Sequence, residues 1–336
     1  MISSLTLVVI VVIVALLFDF VNGFHDSANA IATIVVSRTL TPLQAVLLAG
    51  AANFVGYFAF GLAVAKMIGN GVVHIEQVTL PLLIATLLGA VLWNILTWLL
   101  GLPTSSSHAL IGGLVGAGIA AAGTKVVIWG GVLKIFMFIF IAPILGGLGA
   151  AVVTIVTIWI FRRSHPVKSR KTFKGLQLIA SIFSSIGHGT NDAQKTMGII
   201  ALALCTAGVT SSFVIPGWVV LAAYTAISLG TIFGGWRIVK TMGTSITKIR
   251  EMEGFCSNAA AAVVLLGTAH FGIPVSTTHV ISGSIMGVGA VEHAANVRWI
   301  TARKILWAWI LTIPTTALFA GGVYLLIGNF LLTHTR

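Results

Sequence analysis

Two short stretches of the chain carry residues suited to holding an ion. Positions 101–113 read GLPTSSSHALIGG and positions 272–284 read GIPVSTTHVISGS. In each, a proline stops the preceding segment and can open a new helix. Hydroxyl side chains follow: Ser105, Ser106 and Ser107 in the first, Ser276, Thr277 and Thr278 in the second. A helix start offers free N–H groups and the positive end of the peptide dipoles, and the hydroxyls add donors. That combination suits a tetrahedral oxyanion, and two such starts could hold one anion from two sides. The competing reading is that Ser and Thr pack helices closely in lipid. Packing is the expected job of Gly112, Gly113, Gly116, Gly283 and Gly287.

A second doubled motif carries carboxylates. NGFHDSAN (22–29) aligns with HGTNDAQK (188–195), pairing Asp26 with Asp192. The chain has seven acidic residues, and Asp19, Asp26 and Asp192 are those in apolar or motif stretches. An ionised carboxylate within a bilayer costs on the order of 3 kcal/mol or more, so it marks a pathway or a paired site. Gly23 and Gly189 precede the two motif aspartates, which predicts broken helices whose freed carbonyls help coordinate a cation. Helix N-capping by Asp is the alternative. Asp19 has no partner in the second motif and stands between packing and function. Lys195 aligns with Asn29, so the site is not symmetric. Lys195 either contacts an anion or neutralises Asp192, with snorkelling to the surface as the alternative.

Histidine beside serine raises nucleophilic catalysis. Ser107–His108 and Thr278–His279 are sequence neighbours, and neighbours on a helix do not face each other. A doubled motif fits binding better than a catalytic triad, so an enzyme is not expected. His108 and His279 either cap and orient the hydroxyls or are satisfied core histidines. His25 and His188 lie in the aspartate motifs at positions that do not match.

The elements that must position these residues are apolar. Of 336 residues, 57% are hydrophobic and 8% charged, against about 25% charged in soluble domains. Mean hydropathy is +1.07. Runs such as 5–18, 81–100, 135–161 and 305–332 suit bilayer crossings, and their lack of alternation excludes a barrel. The whole chain allows about 10–12 membrane segments at roughly 20–30 residues each. The first run has neither a basic leader nor a small-residue cleavage site, and is expected to be retained as a helix. Cys205 and Cys256 give neither a disulfide framework nor a metal spacing. The formal charge of +12 reads as basic cytoplasmic loops rather than nucleic-acid binding.

Both motif types recur in the same order, which divides the chain into a first repeat (1–161), a basic cytoplasmic linker (162–174) and a second repeat (175–336). The equivalent loops 66–77 and 237–253 differ in charge, as they would on opposite sides of a membrane. The expected fold is an all-α polytopic membrane protein. It has two inverted-topology repeats with broken or re-entrant helices, and both termini outside.

GFHDSANAIAT, GHGTNDAQKTMGIIAL, GLPTSSSHALIGG and GIPVSTTHVISGSIMGVG together resemble the inorganic phosphate transporter (PiT) family of secondary transporters, over essentially the whole chain. The resemblance implies phosphate transport across the plasma (inner) membrane with a coupling cation, proton or sodium, and no other cofactor. It places Ser105, Ser106, Ser107, Ser276, Thr277, Thr278, Asn29 and Lys195 with the substrate. Asp26, Asp192, Asn191 and Gln194 fall with the cation, and the two aspartates would ligate sodium in a sodium-coupled protein. The implied partners are inorganic phosphate and the lipid bilayer, with a homo-oligomer compatible. Animal sodium-coupled members carry glutamate where this chain has Asn53 and Asn258, which leaves the cation open. A sulfate permease of the same family and an uncoupled phosphate channel are the alternatives.

Overall fold

The computed structural model describes residues 3–59 and 61–334. Among these, twelve α-helices follow one another: α1 (Ser4–Val36), α2 (Pro42–Ala59), α3 (Ala63–Gly71), α4 (Leu80–Leu100), α5 (Ser106–Ala122), α6 (Trp129–Phe161), α7 (Pro166–Thr206), α8 (Gly217–Phe233), α9 (Trp236–Thr244), α10 (Glu251–His270), α11 (Thr277–Glu292) and α12 (Trp299–His334). Helices α1, α4, α6, α10 and α12 are each long and apolar enough to cross a membrane. The bent pairs α2–α3 and α8–α9 are two further candidates, the second turning through 70° at its break. Leucines, valines and tryptophans such as Val9, Leu148, Trp159 and Leu318 are exposed on the outer helix faces. Lipid, unlike water, imposes no cost on such a belt. The chain is a multi-pass helical membrane protein.

The breaks fall elsewhere than at the aspartate motifs. α1 runs unbroken through Gly23 and Asp26, and α7 through Gly189 and Asp192. Both aspartates therefore sit in mid-helix, which removes N-capping as their role. The glycines serve a close approach instead. A Cβ on Gly23 would lie 2.1 Å from the Ile227 carbonyl oxygen, and one on Gly189 2.6 Å from that of Asn53. α1 and α8, and α7 and α2, meet backbone to backbone at the level of the carboxylates. Helices do stop before the hydroxyl clusters. α4 ends at Gly101 in the left-handed region (φ 65°), and Gly272, also at φ 65°, follows α10. A side chain would strain both turns. The basic segment 162–174 is not a free linker, because α7 begins at Pro166 and carries most of it as helix.

Packing exchanges elements between the halves. α5 lies against α12 and α11 against α6, while α8 packs on α1 and α2 on α7. α1 and α7 touch each other at the centre. The contacts are tight where the sequence is glycine-rich. A Cβ on Gly116 would sit 2.0 Å from the Ala317 carbonyl oxygen, and one on Gly287 2.2 Å from that of Gly147. Small residues let helix backbones approach in lipid, where packing rather than water exclusion holds helices together.

Gly116→Leu is expected to lower the melting temperature and the monodisperse yield in detergent, since overpacking costs about 1–3 kcal/mol. Gly267→Ala, with open space around it, should leave both unchanged. Size-exclusion chromatography after a heating series checks the pair of outcomes.

Candidate ion-binding site at the centre of the bundle

The two hydroxyl-rich helix starts face each other across the middle of the molecule. Ser105 caps α5 by accepting from the His108 amide at 3.1 Å, and Ser276 caps α11 from the His279 amide at 3.2 Å. The imidazoles that follow lie 4.9 Å apart, and His279 stacks on Trp309 at 3.9 Å. The capping serines are thereby used locally. Ser106, Ser107, Thr277 and Thr278 occupy the first turns, where amides lack intrahelical acceptors. All six hydroxyl residues are buried.

Helices α1 and α7 bring the charged groups to these starts. Asp26 Oδ2 accepts from Thr278 at 3.3 Å and lies 3.5 Å from the Thr277 hydroxyl. Thr277 also lies 3.2 Å from Asp192 Oδ2, so one hydroxyl stands between two carboxylates. Asn29 donates to Thr278 at 3.0 Å and to Thr277 at 3.3 Å. Lys195 is itself one of the largest fully buried side chains. Its ammonium donates to Asp192 Oδ1, to Ser107 Oγ and to the Val275 carbonyl, the last at 3.2 Å. Three N–H donors meet three acceptors, which is what an ammonium needs to remain charged out of water. Lys195 therefore neutralises Asp192 and does not snorkel.

Each carboxylate also has a histidine partner, which sequence reasoning missed. His25 Nδ1 lies 2.6 Å from Asp26 Oδ1, with its other nitrogen 3.1 Å from Thr97. His188 Nε2 lies 3.3 Å from Asp192 Oδ2, and its Nδ1 lies 3.2 Å from Asn53, which donates to Thr231 at 2.8 Å. The two histidines reach equivalent tasks from unmatched positions, one adjacent to its aspartate and the other one turn before it. A His one turn from an Asp was visible in the sequence as the spacing of 188 and 192.

Not every expected residue converges. Gln194 points away: its amide oxygen accepts from Val64 and Ala65 N–H at 3.0 and 3.2 Å, and its nitrogen donates to the Gly61 carbonyl at 2.8 Å. It caps α3, so the expectation that it binds a cation is not met by this geometry. Asn191 donates to the Gly187 and Leu265 carbonyls at 2.8 and 2.9 Å, tying α7 to α10. Asp19 is fully buried beside Thr196 of α7, apart from the hydroxyl clusters.

The site has unused polar atoms. Among the described residues, Asn29 Oδ1, Asn191 Oδ1 and Ser106 Oγ are buried without a hydrogen-bond partner, and a ligand between them would supply one. Ligand atoms of Asp26, His188 and Asp192 lie within 4.8 Å of one another. Carboxylate, amide and hydroxyl oxygens suit a hard cation, while the helix starts and the lysine suit an anion.

A buried centre of carboxylates, an ammonium and hydroxyls, inside a bundle in which α1, α4, α6, α10 and α12 are each long and apolar enough to cross a membrane, is the architecture of a membrane transport protein. Residues 22–320 match the phosphate transporter family (PHO4), and the chain belongs to that family. It is 48% identical over 319 residues to a probable low-affinity inorganic phosphate transporter of Rhizobium meliloti, covering 95% of this chain and 96% of that one. A protein of the same description from Bacillus subtilis is 44% identical over 329 residues, covering 96% and 98%. Among solved structures, one described as the sodium-dependent phosphate transporter superposes with a TM-score of 0.86 at 26% identity, covering 96% and 99%. The family consists of transporters, in keeping with the reading of the doubled motif as binding rather than catalysis.

Lys195→Met should destabilise the protein by about 3–5 kcal/mol, because it strands a buried carboxylate. Adding Asp192→Asn should recover much of that loss. Thermal unfolding of the single and double variants in detergent decides this. A double variant no more stable than the single would show that the ion pair is not what Lys195 supports.

Proposed function

We propose that this protein is a secondary transporter that carries inorganic phosphate across the plasma membrane together with a cation, proton or sodium. The observation that carries the reading is the charge at the centre. Two carboxylates, Asp26 and Asp192, face one ammonium, Lys195, so acidic groups outnumber basic side-chain amines beside two anion-directed helix starts. A phosphate entering there meets like charge worth on the order of 4 kcal/mol at 4 Å and an effective dielectric of 20. A co-bound cation on Asp26 and Asp192 removes that repulsion. Coupling then follows from electrostatics, since neither ion binds well without the other.

In this mechanism Ser106, Ser107, Thr277 and Thr278 donate to phosphate oxygens, with Asn29 at the border of the two ions. Lys195 adds positive charge on the Ser107 side. Asn191 Oδ1 is available to the cation, and Ser105 and Ser276 act as caps that hold the helix starts in place. The halves 1–161 and 175–336 act as inverted repeats, with termini outside and the basic segment inside. Burial of every one of these side chains supports a carrier in a closed state over a continuously open channel. The deciding experiment is phosphate uptake by the purified protein in liposomes, with sodium and proton gradients imposed separately. Uptake indifferent to both gradients would overturn cation coupling.

Asp26→Asn and Asp192→Asn are each expected to abolish gradient-driven uptake while the protein remains folded in detergent. Ser106→Ala combined with Thr277→Ala should weaken phosphate binding about tenfold or more, the scale of hydrogen bonds to a charged group. Radiolabelled phosphate uptake and equilibrium binding measure these effects.

Phosphate should be preferred over sulfate by about a hundredfold, the scale of one mispaired buried polar group. Phosphate keeps a proton at neutral pH and can donate it to an aspartate oxygen, whereas sulfate offers that oxygen only like charge. Arsenate also keeps a proton and should compete well. Competition by sulfate as strong as that by arsenate would favour the sulfate permease.

A further inference from the structure

A file of buried polar side chains leaves the central site along α1, α7 and α10. Asn29, Thr33 and Ser37 stand one turn apart on α1 and its cap, on a single face. Asn258 of α10 donates to Thr33 at 2.9 Å and also to Ser181 of α7. A turn or so further on, Gln177 of α7 accepts from Ser37 at 3.0 Å and from Thr39 at 2.6 Å. Among the described residues, Asn258 Oδ1 and Gln177 Nε2 have no hydrogen-bond partner. Polar groups are costly inside a membrane protein unless they have a task. This file connects the Asp26 region to the face that bears the basic segment 162–174.

At its end lies a cavity of about 640 Å³ lined by Arg38, Arg170 and Arg250. The three arginines come from the α1–α2 turn, the start of α7 and the residue preceding α10. Glu251 and Glu253 also line it, so the lining is net positive by one charge. The acids are engaged: Glu251 pairs with Arg170 at 2.7 Å, and Glu253 accepts from the Arg250 backbone N–H at 2.9 Å. Among the described residues, neither Arg38 nor Arg250 forms a salt bridge. Arg38 is also the one described non-glycine residue with positive φ, at 56°. Its carbonyl lies 3.5 Å from the Lys174 ammonium. That conformation closes α1 as a Schellman cap, with the Arg38 N–H donating to the Val35 carbonyl at 3.1 Å and the Thr39 N–H to the Ile34 carbonyl at 3.0 Å, and it turns Arg38 out at the end of the helix.

We propose that this cavity is a second anion site, binding the phosphate-type oxyanion through Arg38 and Arg250. Guanidinium forks match such oxygens in a bidentate manner. Free phosphate and the headgroup of an anionic phospholipid present the same chemistry. A role as a waiting site at the cytoplasmic mouth of the transport path rests on the phosphate transport reading; binding by the cavity does not.

The test is protection of arginines from phenylglyoxal, mapped by peptide mass spectrometry on the full-length protein in nanodiscs. In phosphatidylcholine discs, saturating inorganic phosphate should slow modification of Arg38 and Arg250 about tenfold, the scale of charge-assisted contacts, and leave Arg162 and Arg163 unaffected. Protection should persist in Asp192→Asn, which separates this cavity from the central site. If phosphatidylglycerol protects both arginines without added phosphate, the headgroup is the ligand and the anion site stands. Modification at the same rate with and without phosphate, in both lipids, overturns the proposal. Arg38→Gln should weaken protection of Arg250 about tenfold, a readout that does not depend on transport. Protection in a protein whose liposomes take up no phosphate would sink the transport reading and leave the cavity as an anion site.

Discussion

The structure is organised around the cost of burying Asp26, Asp192 and Lys195 out of reach of water. An isolated buried ion costs several kcal/mol after relaxation, so each must find partners from elsewhere in the chain. Lys195 is satisfied by its own helix, by the start of α5 and by the segment before α11. Asp26 draws on α11 and on a histidine held by α4. The requirement explains why α1 and α7 must meet and why the short helices must end where they do. It also explains why the glycines at 23 and 189 admit neighbouring backbones at that depth.

The arrangement ties binding to stability in a way a soluble site does not. The same hydroxyls that would contact an anion now occupy the carboxylates. Thr277 stands between Asp26 and Asp192, and Ser107 accepts from Lys195. In the proposed mechanism an entering ion pair exchanges protein contacts for its own rather than adding to them, and only the surplus over contacts already made would appear as binding energy.

Much of this was legible in the sequence, and what was not has physical reasons. Doubling of PTSSSH and PVSTTH located the helix starts, because proline and glycine constrain the backbone wherever they occur. Asp26 and Asp192 stood out because carboxylates are rare in apolar runs. The glycines beside them misled: Gly23 and Gly189 signal a close neighbour as readily as a break, and only the packing partner tells the two apart. Gln194 sits between two site residues in sequence yet faces α3, since neighbours on a helix point about 100° apart. The one-turn spacing of His188 and Asp192 was readable, but the support of His188 by Asn53 depends on contacts between α7 and α2 that no local pattern encodes. Segment 162–174 read as a linker from its charge, but charge does not prevent a helix.

The seating of α5 on α12 has a consequence for how the protein is made. α5 ends at Ala122, and the residues that receive Gly112 and Gly116 lie at Ile313, Thr316 and Ala317. At roughly 5–20 residues per second, the ribosome needs on the order of 10–40 s to deliver that partner. Through this interval a helix headed by three serines and a histidine waits in the membrane without its wall. The central site cannot close until the last helix arrives. Loss of α12 would therefore leave the nascent chain with an exposed polar start, a feature that membrane quality control is placed to detect.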